Sequence, residues 1–285
     1  MTSIISAHGL TKRYGSTLAV NHIDLEIPPG RIVGLIGPNG AGKTSALKAI
    51  LGLATYEGEL SVLGKNPSTQ RAALMKDVCF IADVAVLPRW IRVHQLIDVT
   101  ESLHPGFSRE RCMKYLAQTK VTPEQKVKQL SKGMVAQLHL ALVMSIDAKL
   151  LVLDEPTLGL DIIYRKEFYT NLLNDYFDEK RTIVITTHQV EEVEHILTDL
   201  LFIQDGRIAL ESSMEDVQER YVELMVKPEK VQDARHLHPI YERELFGRFI
   251  LLFDNVDREK LKDLGEISTP SVADLFVAMM KGGVS

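Results

Sequence analysis

Gly37-Pro38-Asn39-Gly40-Ala41-Gly42-Lys43-Thr44 is the stretch that decides the fold. It fits the pattern G-x-x-x-x-G-K-[ST]. Before it, Arg31-Ile32-Val33-Gly34-Leu35-Ile36 reads as a buried strand; after it, Ser45-Ala46-Leu47-Lys48-Ala49-Ile50-Leu51 reads as the first turns of a helix spanning 43–53. Strand, loop and helix in that order give the pattern its physical meaning. A polyphosphate needs many N–H donors close together, and glycine lets the backbone approach without a Cβ in the way. The opening helix adds its positive N-terminal end. Residues Gly37, Pro38, Asn39, Gly40, Ala41, Gly42, Lys43, Thr44 and Ser45 are therefore expected to cradle nucleotide phosphates. Lys43 is expected to reach the β- and γ-phosphates, and Thr44 to offer its hydroxyl to Mg²⁺. The competing reading is a glycine-rich turn that matches by chance, and the strand–helix frame argues against it.

Working outward, 285 residues suffice for one large or two ordinary domains. Apolar content of 45% and charged content of 25% are those of an ordinary globular protein. A net charge of −5 gives no reason to expect a nucleic-acid partner. Cys79 and Cys112 form no C-x-x-C pair, and a reducing compartment is the simplest setting. The first residues show no signal-peptide pattern. No apolar run approaches the roughly 18 residues of a membrane span; Leu138 to Leu153 is broken by His139, Asp147 and Lys149.

Upstream of the loop, residues 4–36 read as β-rich, and Ala19 to Ile27 alternates as a half-buried strand does. Tyr14-Gly15 reads as a short loop between the first strands. From position alone, Tyr14 either stacks on a purine base or closes the edge of a small sheet. Downstream, Tyr56 to Gly64 reads as hairpin-like strand and Val78 to Ala82 as a short core strand. From Asp83 to about Ile146 the period is helical, with Pro105-Gly106 as a break and Ser108 as an N-cap.

Leu150-Leu151-Val152-Leu153-Asp154-Glu155 is an apolar run ending in two carboxylates. Such a run suits a buried parallel strand, and open α/β sheets place ligands at the C-terminal ends of their strands. Asp154 is expected at Mg²⁺, and Glu155 is expected to orient and deprotonate the attacking water. After a helix from Ile162 to Asp175, Thr182 to Thr187 reads as a second buried strand ending at His188. A neighbouring parallel strand would bring His188 to the same sheet edge, near the γ-phosphate. A helix is expected from Gln189 to Leu197, and Asp205-Gly206 marks a hairpin. Residues 215–285 read as an appendage: a helix over 215–221, strands over 222–226 and 249–253, and a final helix over 272–280. His236 and His238 lack further ligands and read as surface histidines.

These marks together resemble the nucleotide-binding subunit of ABC transporters, over roughly residues 4–212. The resemblance assigns Tyr14 to an adenine-stacking position, residues 37–44 to Walker A and 150–155 to Walker B with the catalytic glutamate. It also assigns Leu130-Ser131-Lys132-Gly133-Met134 to the signature segment, Gly159-Leu160-Asp161 to the D-loop and His188 to the switch histidine. Without the resemblance, 130–134 would be an ordinary serine-capped helix start. With it, Ser131, Gly133 and Asp161 are expected to bind ATP held by a second chain. Two departures stand out. Lys132 replaces the first signature glycine, a form similar to bacterial exporter-type subunits. Asp83 stands where the family places a glutamine, and is a candidate for touching Mg²⁺ through water.

The expected fold is α/β: a P-loop NTPase core with an antiparallel β subdomain, an inserted helical subdomain near 83–146, and a small C-terminal α+β accessory segment, with domains 1–214 and 215–285. The resemblance implies an ATPase with cofactors ATP and Mg²⁺, working as a homodimer beside a transmembrane permease. Its location would be peripheral, on the cytoplasmic face of the plasma (inner) membrane, and export is the direction it suggests. Residues 83–92, with Leu87, Pro88, Trp90 and Ile91, are expected at the permease contact, with Trp90 as plain core the competing reading. The rival function is a soluble ABC-type ATPase of translation or DNA maintenance. Such translation factors usually carry two cassettes and such repair proteins long coiled-coil insertions; this chain has one P-loop and a short insertion.

Overall fold

The computed structural model describes residues 3–81 and 87–281; Asp83 lies outside them. The chain opens with β1 (Ile5–Tyr14) and β2 (Thr17–Ile27), followed by β3 (Ile32–Ile36), α1 (Lys43–Ile50) and β4 (Glu57–Val62). Next come a single turn α2 (Arg71–Leu74) and β5 (Val78–Ile81), then the helical stretch α3 (Val93–Leu103), α4 (Arg109–Leu116) and α5 (Lys132–Met144). The centre resumes with β6 (Leu150–Asp154), α6 (Ile162–Asn171), β7 (Thr182–Thr187), the short α7 (Val190–Val193), β8 (Asp199–Gln204) and β9 (Arg207–Ser213). The remainder is α8 (Met214–Arg220), β10 (Tyr221–Val226), α9 (Val231–Arg235), β11 (Tyr241–Leu245), β12 (Arg248–Asp254), β13 (Glu266–Ser268) and α10 (Val272–Lys281).

The central sheet has six strands in the order β5-β6-β7-β3-β8-β9. All its neighbours are parallel except β8 and β9. Every residue of β3, β6 and β7 is buried, as expected of strands covered on both faces. Alternate residues go to opposite layers. Leu150 and Val152 join Val33, Leu35, Leu47 and Ile50 on the face covered by α1 and the three-stranded sheet β2-β1-β4. Leu151 and Leu153 join Leu138, Leu142, Phe168 and Tyr169 on the face covered by the helices.

The C-terminal sheet, β11-β12-β10-β13, is antiparallel throughout. One face has its own core of Val222, Leu224, Val226, Leu251 and Phe253. Its other face contributes Tyr221 and Leu252 to the main core, with Val272, Leu275 and Ala278 of α10 beside them. Phe276 meets Phe202 of β8 edge-on, with ring centroids 5.2 Å apart, and Glu194 accepts a 3.1 Å bond from the Val272 amide.

Several expectations need adjustment. Tyr14 ends β1 opposite Thr17 rather than lying in a loop. The Glu57–Val62 strand pairs with β1, its partner by topology rather than by a local hairpin. The helix at the P-loop stops at Ile50, three residues early. The helix after His188 covers only 190–193 before a tight turn over 194–196. Strands β11 and β13 and helix α9 were not legible: Tyr-Glu-Arg-Glu-Leu and Glu-Ile-Ser are short and half polar, and become strands only by pairing with longer apolar neighbours.

Candidate active site

The loop between β3 and α1 is closed tightly against its neighbours. A Cβ on Gly42 would lie 2.2 Å from the Ala19 carbonyl oxygen, and the backbone there has φ +110°. Both facts demand glycine. Lys43 is almost fully buried, at 7% exposure. Its ammonium donates to the carbonyls of Gly37 (2.7 Å) and Pro38 (3.2 Å). Burial pushes its pKa down, while Glu155 and Asp154 pull it back up. The loop thus carries a cation held in place before any ligand arrives. The adjoining cavity, about 200 Å³, is lined by Ala19, Asn39, Gly40, Gly42, Lys43, Thr44, Ser45 and Glu155. That is far more room than a single ion needs.

The acidic side of the site comes from sheet register. Asp154 and Thr186 are partners across β6 and β7, and Ile36 pairs with Thr187. Parallel pairing therefore brings the loop, the two carboxylates and His188 to one sheet edge. Asp154 is buried. One of its oxygens accepts from the Thr44 hydroxyl at 3.1 Å, and the other from the Thr186 hydroxyl. Glu155 leaves the strand in the left-handed region, at φ +49°, a strained position for a residue with a Cβ. Its amide still bonds the Thr186 carbonyl at 3.0 Å, and the turn puts its side chain on the cavity wall. His188 Nδ1 lies 2.8 Å from a Glu155 carboxylate oxygen.

The other expected residues lie elsewhere. Ser131 caps α5, accepting from the Met134 amide at 3.2 Å. Asp161 caps α6, accepting from the amides of Ile163 (3.0 Å) and Tyr164 (3.1 Å). A Cβ on Gly133 would meet the Gly159 carbonyl oxygen at 3.7 Å, so these two loops adjoin. None of these residues lines the cavity at the chain's own P-loop. Tyr14 is half exposed, with the Lys12 ammonium 4.8 Å from its ring centroid. Trp90 is 74% exposed, which removes the reading of it as core, whereas neighbouring Ile91 is buried. Lys12 and Thr186 are additions to the residues expected at the site. Neither carried a signal: Thr186 is one of three threonines in an ordinary strand, and only the register sets it opposite Asp154. A separate cleft, lined among others by Tyr115, Gln137, Leu140, Met144, Glu167 and Phe168, is mostly apolar and shares no lining residue with the cavity at the P-loop.

A phosphate loop on a parallel sheet, with two carboxylates and a histidine at the same edge, defines a P-loop ATPase. Residues 20–158 match the family model described as ABC transporter. The chain is 35% identical over 218 residues to the Nod factor export ATP-binding protein I of Cupriavidus metallidurans, covering 73% of this chain and 70% of that protein. It is 30% identical over 237 residues to the bacitracin transport ATP-binding protein BcrA of Enterococcus faecalis, covering 81% and 77%. It is 32% identical over 210 residues to the lantibiotic transport ATP-binding protein SrtF of Streptococcus pyogenes, covering 73% and 90%. Among solved structures, an ATP-binding subunit of an ABC transporter superposes with TM-score 0.69 at 20% identity, over 76% of this chain and 92% of that one. A nucleotide-free ATP-binding cassette gives 0.63 at 18% identity, over 76% and 94%. The chain belongs to the ABC transporter ATP-binding family. It is an ATP-hydrolysing subunit of an ABC transporter, and a membrane partner follows from that role. Among the described residues no helix is long and apolar enough to cross a membrane itself.

Proposed function

We propose that Gly37 to Ser45 hold the phosphates of ATP, that Glu155 is the general base and that His188 is its partner at the γ-phosphate. The observation that carries this is the single sheet edge at which Lys43, Asp154, Glu155 and His188 converge. Water attacks the γ-phosphorus in line, its proton passes to Glu155, and the bond to the bridging oxygen breaks to leave ADP. His188 holds the Glu155 carboxylate toward the cavity. Lys43 and the loop amides offset the phosphate charge, so catalysis is mainly positioning and electrostatics. The Thr44 hydroxyl and the buried Asp154 carboxylate are hard oxygen donors of the kind that hold Mg²⁺ alongside substrate phosphates. When bound, Mg²⁺ neutralises charge on the β- and γ-phosphates.

The site is completed in this reading by a second copy. Ser131, Gly133 and Asp161 do not line the cavity at their own P-loop, and Leu158, Ile162 and Ile163 beside them are exposed apolar residues at 48%, 70% and 65%. Tyr14 stacks on the adenine. Exposed Trp90, with Leu87, faces the permease; Asp83 and its neighbours to 86 lie outside the described residues. We divide the chain at 214/215 and place it on the cytoplasmic face of the membrane. The likeness to a Nod factor export protein supports export as the direction. The test is Glu155→Gln, measured by phosphate release and by size-exclusion chromatography with ATP. Hydrolysis should fall about 100-fold or more, with an ATP-bound dimer accumulating. Hydrolysis at the parent rate would remove Glu155 as the base.

A further inference from the structure

We infer that Arg165 is a positioning residue for hydrolysis, fastening the loop before α6 to the turn that carries His188. The inference deepens the proposed function and rests on it. One guanidinium reaches three groups on two segments. Its Nε donates to the Leu160 carbonyl at 2.8 Å, between Gly159 and Asp161. Its Nη1 donates to the Gln189 side-chain oxygen at 2.8 Å, one residue after His188, and also meets the Glu192 carboxylate of α7. Glu192 in turn accepts from the Thr157 hydroxyl at 3.3 Å. Thr157 is buried, two residues beyond Glu155, and its hydroxyl lies 3.3 Å from that of Tyr169.

These contacts bracket Glu155. On one side the chain after it is tied through Thr157 to Glu192; on the other, His188 bonds its carboxylate directly and is followed by Gln189. Arg165 joins the two sides. The pair with Glu192 is largely shielded, with side-chain exposures of 22% and 26%, so solvent screens it only in part. A planar fork is suited to three partners at once, where a lysine ammonium keeps the charge but loses the geometry. Gly159, at φ +84°, gives the loop the freedom that the Leu160 contact then removes. Arg165 does not line the cavity, so it acts on the arrangement of Glu155 and His188 rather than on ATP itself.

Arg165→Lys, Arg165→Ala and Glu192→Gln are made in the full chain, and steady-state ATP hydrolysis and thermal melting are recorded. The expected result is a fall in kcat of about tenfold or more for Arg165→Ala, with KM for ATP within twofold of the parent. Arg165→Lys should keep the parent melting temperature yet regain only a small part of kcat. In Arg165→Ala combined with Glu155→Gln the two losses should not add, because both act on one water-activating arrangement. A kcat within twofold of the parent in a folded Arg165 variant overturns the inference, as does a loss that adds in full to that of Glu155→Gln. If Arg165→Ala does not fold, Arg165→Lys and Glu192→Gln decide in the same way. A Glu155→Gln variant as active as the parent strikes the proposed function instead, and the inference falls with it.

Discussion

Strands β6 and β10 are both largely apolar, Leu150–Asp154 and Tyr221–Val226, yet only one of them ends in chemistry. β6 lies in a parallel region, where neighbouring strands run the same way and their C-terminal ends share one edge. The turns leaving β3, β6 and β7 therefore meet, and Lys43 joins Glu155 and His188 from a segment far earlier in the chain. β10 lies between antiparallel partners, so strand ends of opposite sense alternate along each edge. Its side chains are spent on packing: Val222, Leu224 and Val226 on one face, Tyr221 toward the main core. Direction of pairing, more than composition, separates a sheet that builds a site from one that builds a surface.

This contrast can be broken by substitution. The largest effect is expected at the parallel edge. Gly42→Ala places a methyl 2.2 Å from the Ala19 carbonyl at a backbone angle reserved for glycine. Nucleotide binding should weaken by about 100-fold while the fold loses only about 1–3 kcal/mol. Fluorescent-nucleotide titration and urea unfolding check the two halves, and unchanged affinity would mean that the loop tolerates movement. Next is the antiparallel sheet. Leu224→Ala, at a fully buried position, should cost about 2–5 kcal/mol in unfolding free energy, while kcat per folded molecule stays within twofold. A loss of kcat in the folded variant would show that this sheet, joined to the main core through Tyr221 and Leu252, acts on the site.

The smallest effect concerns the thiols. Burial raises Cys79 to about 12 and Cys112 to about 11, so neither should react with a thiol reagent at pH 8 until the chain unfolds. Because the folded values lie above the unfolded one of roughly 8.5, their contribution to stability is complete below that pH and declines as pH rises through about 11–12. Urea midpoints at pH 8 and pH 10 check the sign: the higher pH should give the lower midpoint for the parent, and a smaller difference for Cys79→Ala.

Much of the site was legible because phosphate chemistry restricts residue choice. A loop that approaches phosphate needs glycine, a charge-neutralising side chain must be Lys or Arg, and a water-activating group needs a carboxylate at a strand end. Such demands leave marks at fixed spacing, as in Gly37–Thr44 and Leu150–Glu155. The Thr186 hydroxyl on Asp154 left no such mark, since threonine is also an ordinary strand residue. Arg165 is one of several charges on a polar helix, and only the packed structure distinguishes it. The strands β11 and β13 were missed for a related reason: their pairing is non-local, and their own side chains carry little preference.

The sequence by itself determined that a phosphate cradle, two carboxylates and a histidine occur in an α/β frame, because their chemistry admits few substitutes. Tertiary structure alone decided the rest. It turned Ser131 and Asp161 into helix caps that do not line the cavity at their own P-loop, left Trp90 in the open and set Arg165 between Leu160 and Gln189. It also packed the last helix beside the one that follows His188. Those outcomes depend on which surfaces meet after long loops close, and surfaces of ordinary composition do not announce their partners.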